Sequence, residues 1–458
     1  MELKVVNPYS QEVVCKLPYD DKDALAQKVA HAQETFTRWH TRSLDERIDI
    51  VRQGVTRFRD IGARVASEIT DQMGKPLSQA QREMETMLDR AEYMLGIANE
   101  TLAPDRLPEK QGFERRIEHV PHGVVLNVAA WNYPLLLPIN VIIPALVAGN
   151  TVLLKHSAKT PLVGRAFAEA FGKLSVPHLV QDILVTHKQT AELIGDKRIG
   201  YLAFTGSVEG GYEVYANAAR HMMDAGLELG GKDPAYVAAD APFDFTVENV
   251  VDGALYNAGQ SCCAVERVYV HASLYDKFVA ASKKVMEGYV MGDPRDAKTT
   301  IGPLSSRSAL DTMEKHVQDA VKRGAKLLLG GKRVEGQKGY FFPPTLLVDV
   351  PNDAEVMQEE TFGPIMPVLR VKDDDEAIRM MNDSRYGLTA SVWTADNHRA
   401  ERFGREVNAG TIYQNRCDYL DPALPWTGIG DSGMGSTLSR YGYWHLTRRK
   451  SIHFRRAP

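Results

Sequence analysis

The sequence predicts an α/β fold built from two successive blocks, each with its own sheet. Three observations carry this expectation. From residue 123 onward, short and continuously apolar runs alternate with helical patterns. Strands buried on both faces read this way, as in a parallel sheet covered by helices. The first hundred residues are almost entirely helical in periodicity, and at 458 residues the chain exceeds what one compact core holds.

Taken in order, residues 21–100 place apolar side chains three and four apart among many Lys, Arg, Glu and Asp, the pattern of amphipathic helices. Residues 103–110 form a breaker-rich connection containing Pro104 and Pro108. Residues 123–128, 150–155, 182–186 and 201–205 then read as four buried strands, residues 144–149 as a helix end, and 161–174 and 188–196 as intervening helices. In the second block, 248–257 reads as helix, 267–270 as strand, 274–289 and 309–323 as helices, and 326–329, 345–348 and 365–369 as strands. There is no internal repeat and no low-complexity segment.

Composition excludes several classes. A hydrophobic content of 44% and a charged content of 25% are ordinary for a soluble enzyme. The net charge of -4 lacks the basic excess that nucleic acid or an anionic membrane calls for. Four cysteines are too few for a disulfide framework and favour a reducing, cytoplasmic setting. The first eight residues are too short and polar for a leader. The longest apolar run, 135–148, is broken by Pro138, Asn140 and Pro144 and falls short of a span of about 20 residues. The basic tail, Arg448-Arg449-Lys450 and Arg455-Arg456, reads as solvated or subunit-contacting. No Cys/His cluster has metal-ligand spacing.

The chemistry-bearing residues fall in short segments. Cys262 and Cys263 lie side by side in Asn257-Ala258-Gly259-Gln260-Ser261-Cys262-Cys263-Ala264, where a helical run stops and a strand begins. Either thiol can be a nucleophile or a small buried hydrophobe, and the residues alone do not rank them. Glu228 stands isolated among apolar and glycine residues, either a general base with a burial-raised pKa or a helix-cap or salt-bridge partner. Asn132, after the first strand, is an oxyanion donor or a turn former beside Pro134. Residues 204–211, with Gly206 and Ser207, follow a strand and open a helix. They offer a phosphate site or an ordinary turn. Lys155 ends the second strand, where it binds a ribose hydroxyl or is solvated.

Six segments in order resemble the aldehyde dehydrogenase superfamily over nearly the whole chain. They are Trp131-Asn132-Tyr133-Pro134, Phe204-Thr205-Gly206-Ser207, Glu228-Leu229-Gly230-Gly231-Lys232, Gly259-Gln260-Ser261-Cys262, Glu360-Thr361-Phe362-Gly363-Pro364 and Ser432-Gly433-Met434-Gly435. The resemblance implies a Rossmann-like parallel-sheet cofactor domain, an α/β catalytic domain and a small oligomerisation extension. The expected boundaries are 1–102 and 122–230, 231–431, and 103–121 with 446–458 respectively. It implies that Cys262 is the nucleophile, Glu228 the base that hydrolyses the thioester, and Asn132 with the Cys262 N–H the oxyanion donors. NAD or NADP is expected against Trp131, Lys155, Ser157, Gly206, Ser207, Glu360 and Phe362. By position, the substrate pocket is Tyr133, Leu137, Asn140, Ser261, Cys263, Leu420 and Trp426, a lining suited to neutral aliphatic or aromatic aldehydes. A homodimer or homotetramer is expected.

Departures from the family pattern refine this. Ala158 stands where relatives often carry an acid that repels a 2′-phosphate, so NADP is expected to be tolerated, with Ser157, His156 or Lys159 beside the phosphate. Val141 replaces a common Lys. Leu255-Tyr256 lacks the Arg that succinic semialdehyde enzymes usually place before the nucleophile segment. Arg416 is the one cation that could bind an anionic substrate; the favoured expectation is a structural salt bridge with Asp418 or Asp421. Glu228 argues against a CoA-acylating enzyme, and with the Glu360 motif against an acyl reductase. The three candidate catalytic residues together argue against a non-catalytic binding protein.

Overall fold

The computed structural model describes residues 2–336 and 338–456. Two large sheets organise it. The first has six strands in the order Gly433–Met434, Asp224–Glu228, Ile199–Thr205, Val124–Val128, Thr151–Lys155 and Val180–Asp182. All neighbours are parallel except the first pair. Its central strand, Val124–Val128, is buried throughout, as its unbroken apolar run requires. Alternate side chains serve two cores. Val125, Val152 and Tyr201 pack with Val51, Phe58, Ile69 and Met87 from the N-terminal helices. Val124, Leu126, Leu153 and Leu202 pack on the opposite face with Leu25 and Val29. The helices Lys22–Trp39, Leu44–Asp60, Gly62–Met73 and Leu77–Thr101 thus clothe both faces, the first on one and the others on its reverse.

The second sheet has seven strands in the order Lys326–Leu329, Thr345–Val348, Ile365–Val371, Val265–His271, Asp233–Val237, Thr389–Trp393 and Thr411–Gln414, all parallel except the first pair. A third, antiparallel sheet joins Thr447–Arg455, Phe113–Pro121 and Asp105–Arg106. It draws together the two segments expected to form the extension. Positions 457–458 of that expectation lie outside the described residues.

Three local expectations are corrected. The strand expected at 182–186 is Val180–Asp182. Leu184 instead exchanges hydrogen bonds with Asp20: its N–H donates to Asp20 Oδ2 at 2.9 Å, and its carbonyl accepts from the Asp20 N–H. That diverts the chain from the sheet. The helix expected at 248–257 begins earlier and spans Phe243–Leu255. The segment read as a polar start pairs as a ribbon, Glu2–Val6 against Val13–Pro18.

A buried ion pair joins the second sheet to the turn beside it. Lys232 Nζ lies 2.6 Å from Glu266 Oε2, and both side chains are almost fully sequestered. Lys232 also donates to Thr361 Oγ1 at 2.8 Å. The N–H groups of Thr361 and Phe362 donate to the Glu266 carboxylate at 2.7 and 2.8 Å. Removing one member leaves the other charge unpaired in a dry site, at a cost of about 3–5 kcal/mol. Glu266→Ala should therefore lower the unfolding free energy by that amount, read in equilibrium unfolding as a lower denaturant midpoint at unchanged m-value.

Candidate active site

Chain order reverses in the first sheet between Val124–Val128 and Ile199–Thr205, whose neighbours lead to opposite edges. A crevice opens outside the carboxyl ends of strands at such a switch point. Here it is a cavity of ≈ 830 Å³. From the first sheet it is lined by Trp131, Asn132, Lys155, Ser157, Gly206 and Ser207, and from across it by Cys262, Glu360 and Phe362. All seven residues expected at a cofactor are thus brought together. Ser207 caps the helix Val208–Arg220, accepting the Gly210 N–H at 3.2 Å, and this helix start lies in the cavity wall. The N–H groups of such a terminus favour a pyrophosphate. The Gly231 N–H donates to Glu360 Oε1 at 3.0 Å. Burial and the nearby Glu266 charge push the Glu360 carboxyl up to about 8. Phe362 meets the Trp131 ring edge-on, with centroids 5.7 Å apart.

Two expected phosphate partners are turned elsewhere. His156 is buried, with Nε2 3.0 Å from the Pro134 carbonyl and Nδ1 3.1 Å from Thr160 Oγ1. Burial holds its pKa down at about 4, so it is neutral. Lys159 donates to Ser305 Oγ at 2.8 Å and sits 4.1 Å from the Trp131 ring centroid. Burial pushes its pKa down to about 8. Ser157 is the one of the three that lines the cavity.

The nucleophile segment is held by a strained turn. Asn257, Ala258 and Gly259 have φ of 53°, 56° and 71°, all left-handed. Non-glycine residues persist there only where surroundings fix them. Asn257 Nδ2 donates to the carbonyls of Asn132 and Gln260 at 3.2 and 3.1 Å. The Ser305 N–H donates to Gln260 Oε1 at 2.9 Å. A Cβ at Gly259 would strike the Gly363 carbonyl, so the turn also lies tight against the loop after Phe362.

The two thiols now differ. Cys262 is half-buried and faces the cavity. Cys263 is sealed at 2% exposure and donates from Sγ to Asp418 Oδ1 at 3.0 Å. Hydrogen bonding with Cys262, burial and the Asp418 charge push the Cys263 thiol well above its ordinary value. It stays protonated.

Asn132 lines the same cavity, and no hydrogen bond among the described residues engages its side-chain amide. Glu228 lies just behind the cavity. It borders a small void with Val141, Thr205 and Thr437. Its carboxylate accepts from the Thr437 hydroxyl, and from the Thr205 hydroxyl at 3.3 Å. Burial raises its pKa, while these hydroxyls and the Arg90 charge act the other way.

Of the residues expected to line the substrate pocket, Cys263 and Trp426 form an apolar cluster with Leu388 and Leu438, against which Cys262 and Leu420 pack. Ser261 donates to Asp418 Oδ1 at 2.9 Å. Tyr133 carries the Lys75 ammonium 4.2 Å from its ring centroid. Lys75 is ion-paired with Glu83, whose Oε1 accepts the Leu135 and Leu136 N–H groups at 2.8 and 3.3 Å. Leu137 lies on the large cavity. Asn140 is buried and accepts from Arg90 at 2.9 Å, while its Nδ2 has no partner among the described residues. The expected Arg416 salt bridge does not form. Its guanidinium lies 3.3 Å from the Tyr419 ring centroid instead. Sequence reasoning missed Thr205 and Thr437 as partners of Glu228, the Lys75–Glu83 pair, and Asp418 as the acceptor beside Cys262.

Comparison with known proteins agrees with this geometry. The model of the Aldehyde dehydrogenase family matches residues 1–452. The chain is 35% identical to the succinate-semialdehyde dehydrogenase [NADP(+)] of Deinococcus radiodurans, over 98% of this chain and 94% of that one. It is 33% identical to the lactaldehyde dehydrogenase of Escherichia coli, over 98% and 95%. The solved structure of an E. coli lactaldehyde dehydrogenase superposes with a TM-score of 0.96 at 31% identity, covering 99% and 96%. A betaine aldehyde dehydrogenase from Staphylococcus aureus, solved with NAD+, superposes at 0.95 and 29% identity, covering 100% and 92%. With the matching segments gathered around one switch-point cavity, the chain belongs to the aldehyde dehydrogenase family, the NAD(P)-dependent oxidoreductases of aldehydes.

Proposed function

We propose that this protein oxidises an aldehyde to its carboxylic acid with NAD+ or NADP+, through a thioester on Cys262 that water resolves. The observation that carries the reading is the juxtaposition of Cys262, the Asn132 amide and the Ser207 helix start on one cavity, with Glu228 behind it. The Cys262 thiolate attacks the aldehyde carbon. The Asn132 amide and the Cys262 N–H donate to the oxygen as it becomes negative. A bound oxidised nicotinamide would supply the acceptor for the hydride lost from this carbon. Glu360 and Phe362 fit its ribose end, and Trp131, Lys155 and Ser157 the adenosine side. Glu228, turned from its threonine hydroxyls toward the thioester, takes a proton from water, which attacks the carbonyl and frees the Cys262 thiolate.

The division into a cofactor part (1–102 and 122–230), a catalytic part (231–431) and an oligomerisation element belongs to the same proposal. Two strands with an open edge, Thr447–Arg455 and Thr411–Gln414, support assembly of two or four copies through main-chain pairing. No helix among the described residues is long and apolar enough to cross a membrane. A small aldehyde and a cytoplasmic setting complete the reading.

Cys262→Ala should abolish NAD(P)H formation from propanal, whereas Cys263→Ala should keep at least about a tenth of wild-type kcat. The opposite ranking would move the nucleophile to Cys263. Glu228→Gln should release NADH in a stoichiometric burst and then slow by about 10²-fold or more. Because burial raises the Glu228 pKa, its base form fills in above the ordinary carboxylate range. The steady-state rate should therefore fall with decreasing pH along an acid limb, which is absent from the residual rate of Glu228→Gln. For cofactor choice, wild type should turn over NADP+, and Ala158→Glu should cut kcat/KM for NADP+ at least about tenfold relative to NAD+ through charge repulsion. Initial rates with both cofactors decide this.

A further inference from the structure

We infer that Asp418 selects the aldehyde: the open side of its carboxylate forms an acidic subsite beside Cys262 that takes aldehydes bearing a hydroxyl or ammonium donor and turns away those bearing a carboxylate. The inference rests on Cys262 being the residue that receives the aldehyde.

The geometry is specific. Ser261 and Cys263 flank Cys262 in sequence, and both donate to the same Asp418 oxygen, Oδ1, at 2.9 and 3.0 Å. The carboxylate is therefore anchored on both shoulders of the nucleophile. Asp418 itself has a φ of 45°, left-handed for a side chain that gains nothing locally from it. Such strain marks a residue whose position the surroundings dictate. Its other oxygen, Oδ2, accepts no hydrogen bond among the described residues, and the residue keeps partial exposure although its carboxyl lies deep in the protein. A fixed acceptor with a free oxygen at the edge of an otherwise apolar cluster (Leu388, Leu420, Trp426, Leu438) is a receptor for one donor group.

The surrounding charges do not cancel it. Lys75, the cation whose charge acts on Asp418, is committed to Glu83. Asp252 adds to the negative field at Asp418. Arg416 points its guanidinium at Tyr419. Arg90 is bonded to Asn140 and acts on Glu228. Around Cys262, the cations Lys75 and Arg90 thus face three carboxylates, Glu83, Glu228 and Asp418. A substrate carboxylate entering this cluster meets like charge, whereas an ammonium or hydroxyl finds an acceptor already in place. A site built around a buried acceptor also discriminates against the analogue that lacks the donor.

The test compares kcat/KM for four small aldehydes by NAD(P)H absorbance: glycolaldehyde, 3-aminopropanal, propanal and succinate semialdehyde. Wild type should prefer at least one donor-bearing aldehyde over propanal by about tenfold or more, and should use succinate semialdehyde worst. Asp418→Asn keeps an acceptor oxygen but removes the charge. It should raise succinate semialdehyde relative to propanal by about tenfold and lower 3-aminopropanal, while leaving glycolaldehyde favoured. Asp418→Ala should erase the advantage of both donor-bearing aldehydes. Equal wild-type values across the panel, or succinate semialdehyde as the best substrate, would overturn the selection by Asp418 while leaving the dehydrogenase reading intact. No NAD(P)H from any of the four would overturn both. The wild-type ranking stands whether or not the variants fold.

Discussion

The structure hangs on a charge that water cannot reach. Lys232 and Glu266 neutralise each other inside the second sheet, and the three donors that satisfy Glu266 come from Lys232 itself and from Thr361 and Phe362. Three segments distant in sequence are thereby fixed at once: the chain just after Glu228, the strand just after Cys262, and the turn that carries Glu360 and Phe362. A Cβ at Gly231 would strike the Cys262 carbonyl, so the first two also touch at backbone distance. Burying two charges is unfavourable unless every donor and acceptor is matched. Here Glu266 meets three donors and Lys232 two acceptors, and this matching sets Glu228, Cys262 and Glu360 into one frame.

Electrostatics then separates groups that are chemically alike. Adjacent thiols diverge because one is buried against a carboxylate and the other faces an open cavity. Carboxyl groups diverge as well. Glu266 is saturated with donors, Glu360 is pushed up to about 8, and Glu228 is raised by burial yet restrained by two hydroxyls. The side chains are ordinary, and their surroundings assign them different tasks.

Much of this was legible in the chain. The apolar runs at 123–128 and 150–155 became the central strands because side chains on both faces of a parallel sheet must be apolar, so their composition announces their place. The segments around Asn132, Gly206, Cys262 and Glu360 stood out through their resemblance to the family in order along the chain, since the residues by themselves left an ordinary turn or core role open. What stayed hidden depends on partners far along the chain. Nothing near Leu184 says that Asp20 will draw it off the sheet. His156 looks like a phosphate ligand until Pro134 and Thr160 are seen to occupy its ring. Arg416 looks paired to nearby acids until it is found on an aromatic face.

The short strand Gly433–Met434 has a further meaning. It pairs antiparallel with the strand ending in Glu228, and the Thr437 hydroxyl that holds the Glu228 carboxylate lies 209 residues further on. The position of Glu228 is therefore completed by contacts from a segment far along the chain. A chain cut before residue 433 therefore carries Cys262 but neither the strand nor the hydroxyl that hold Glu228.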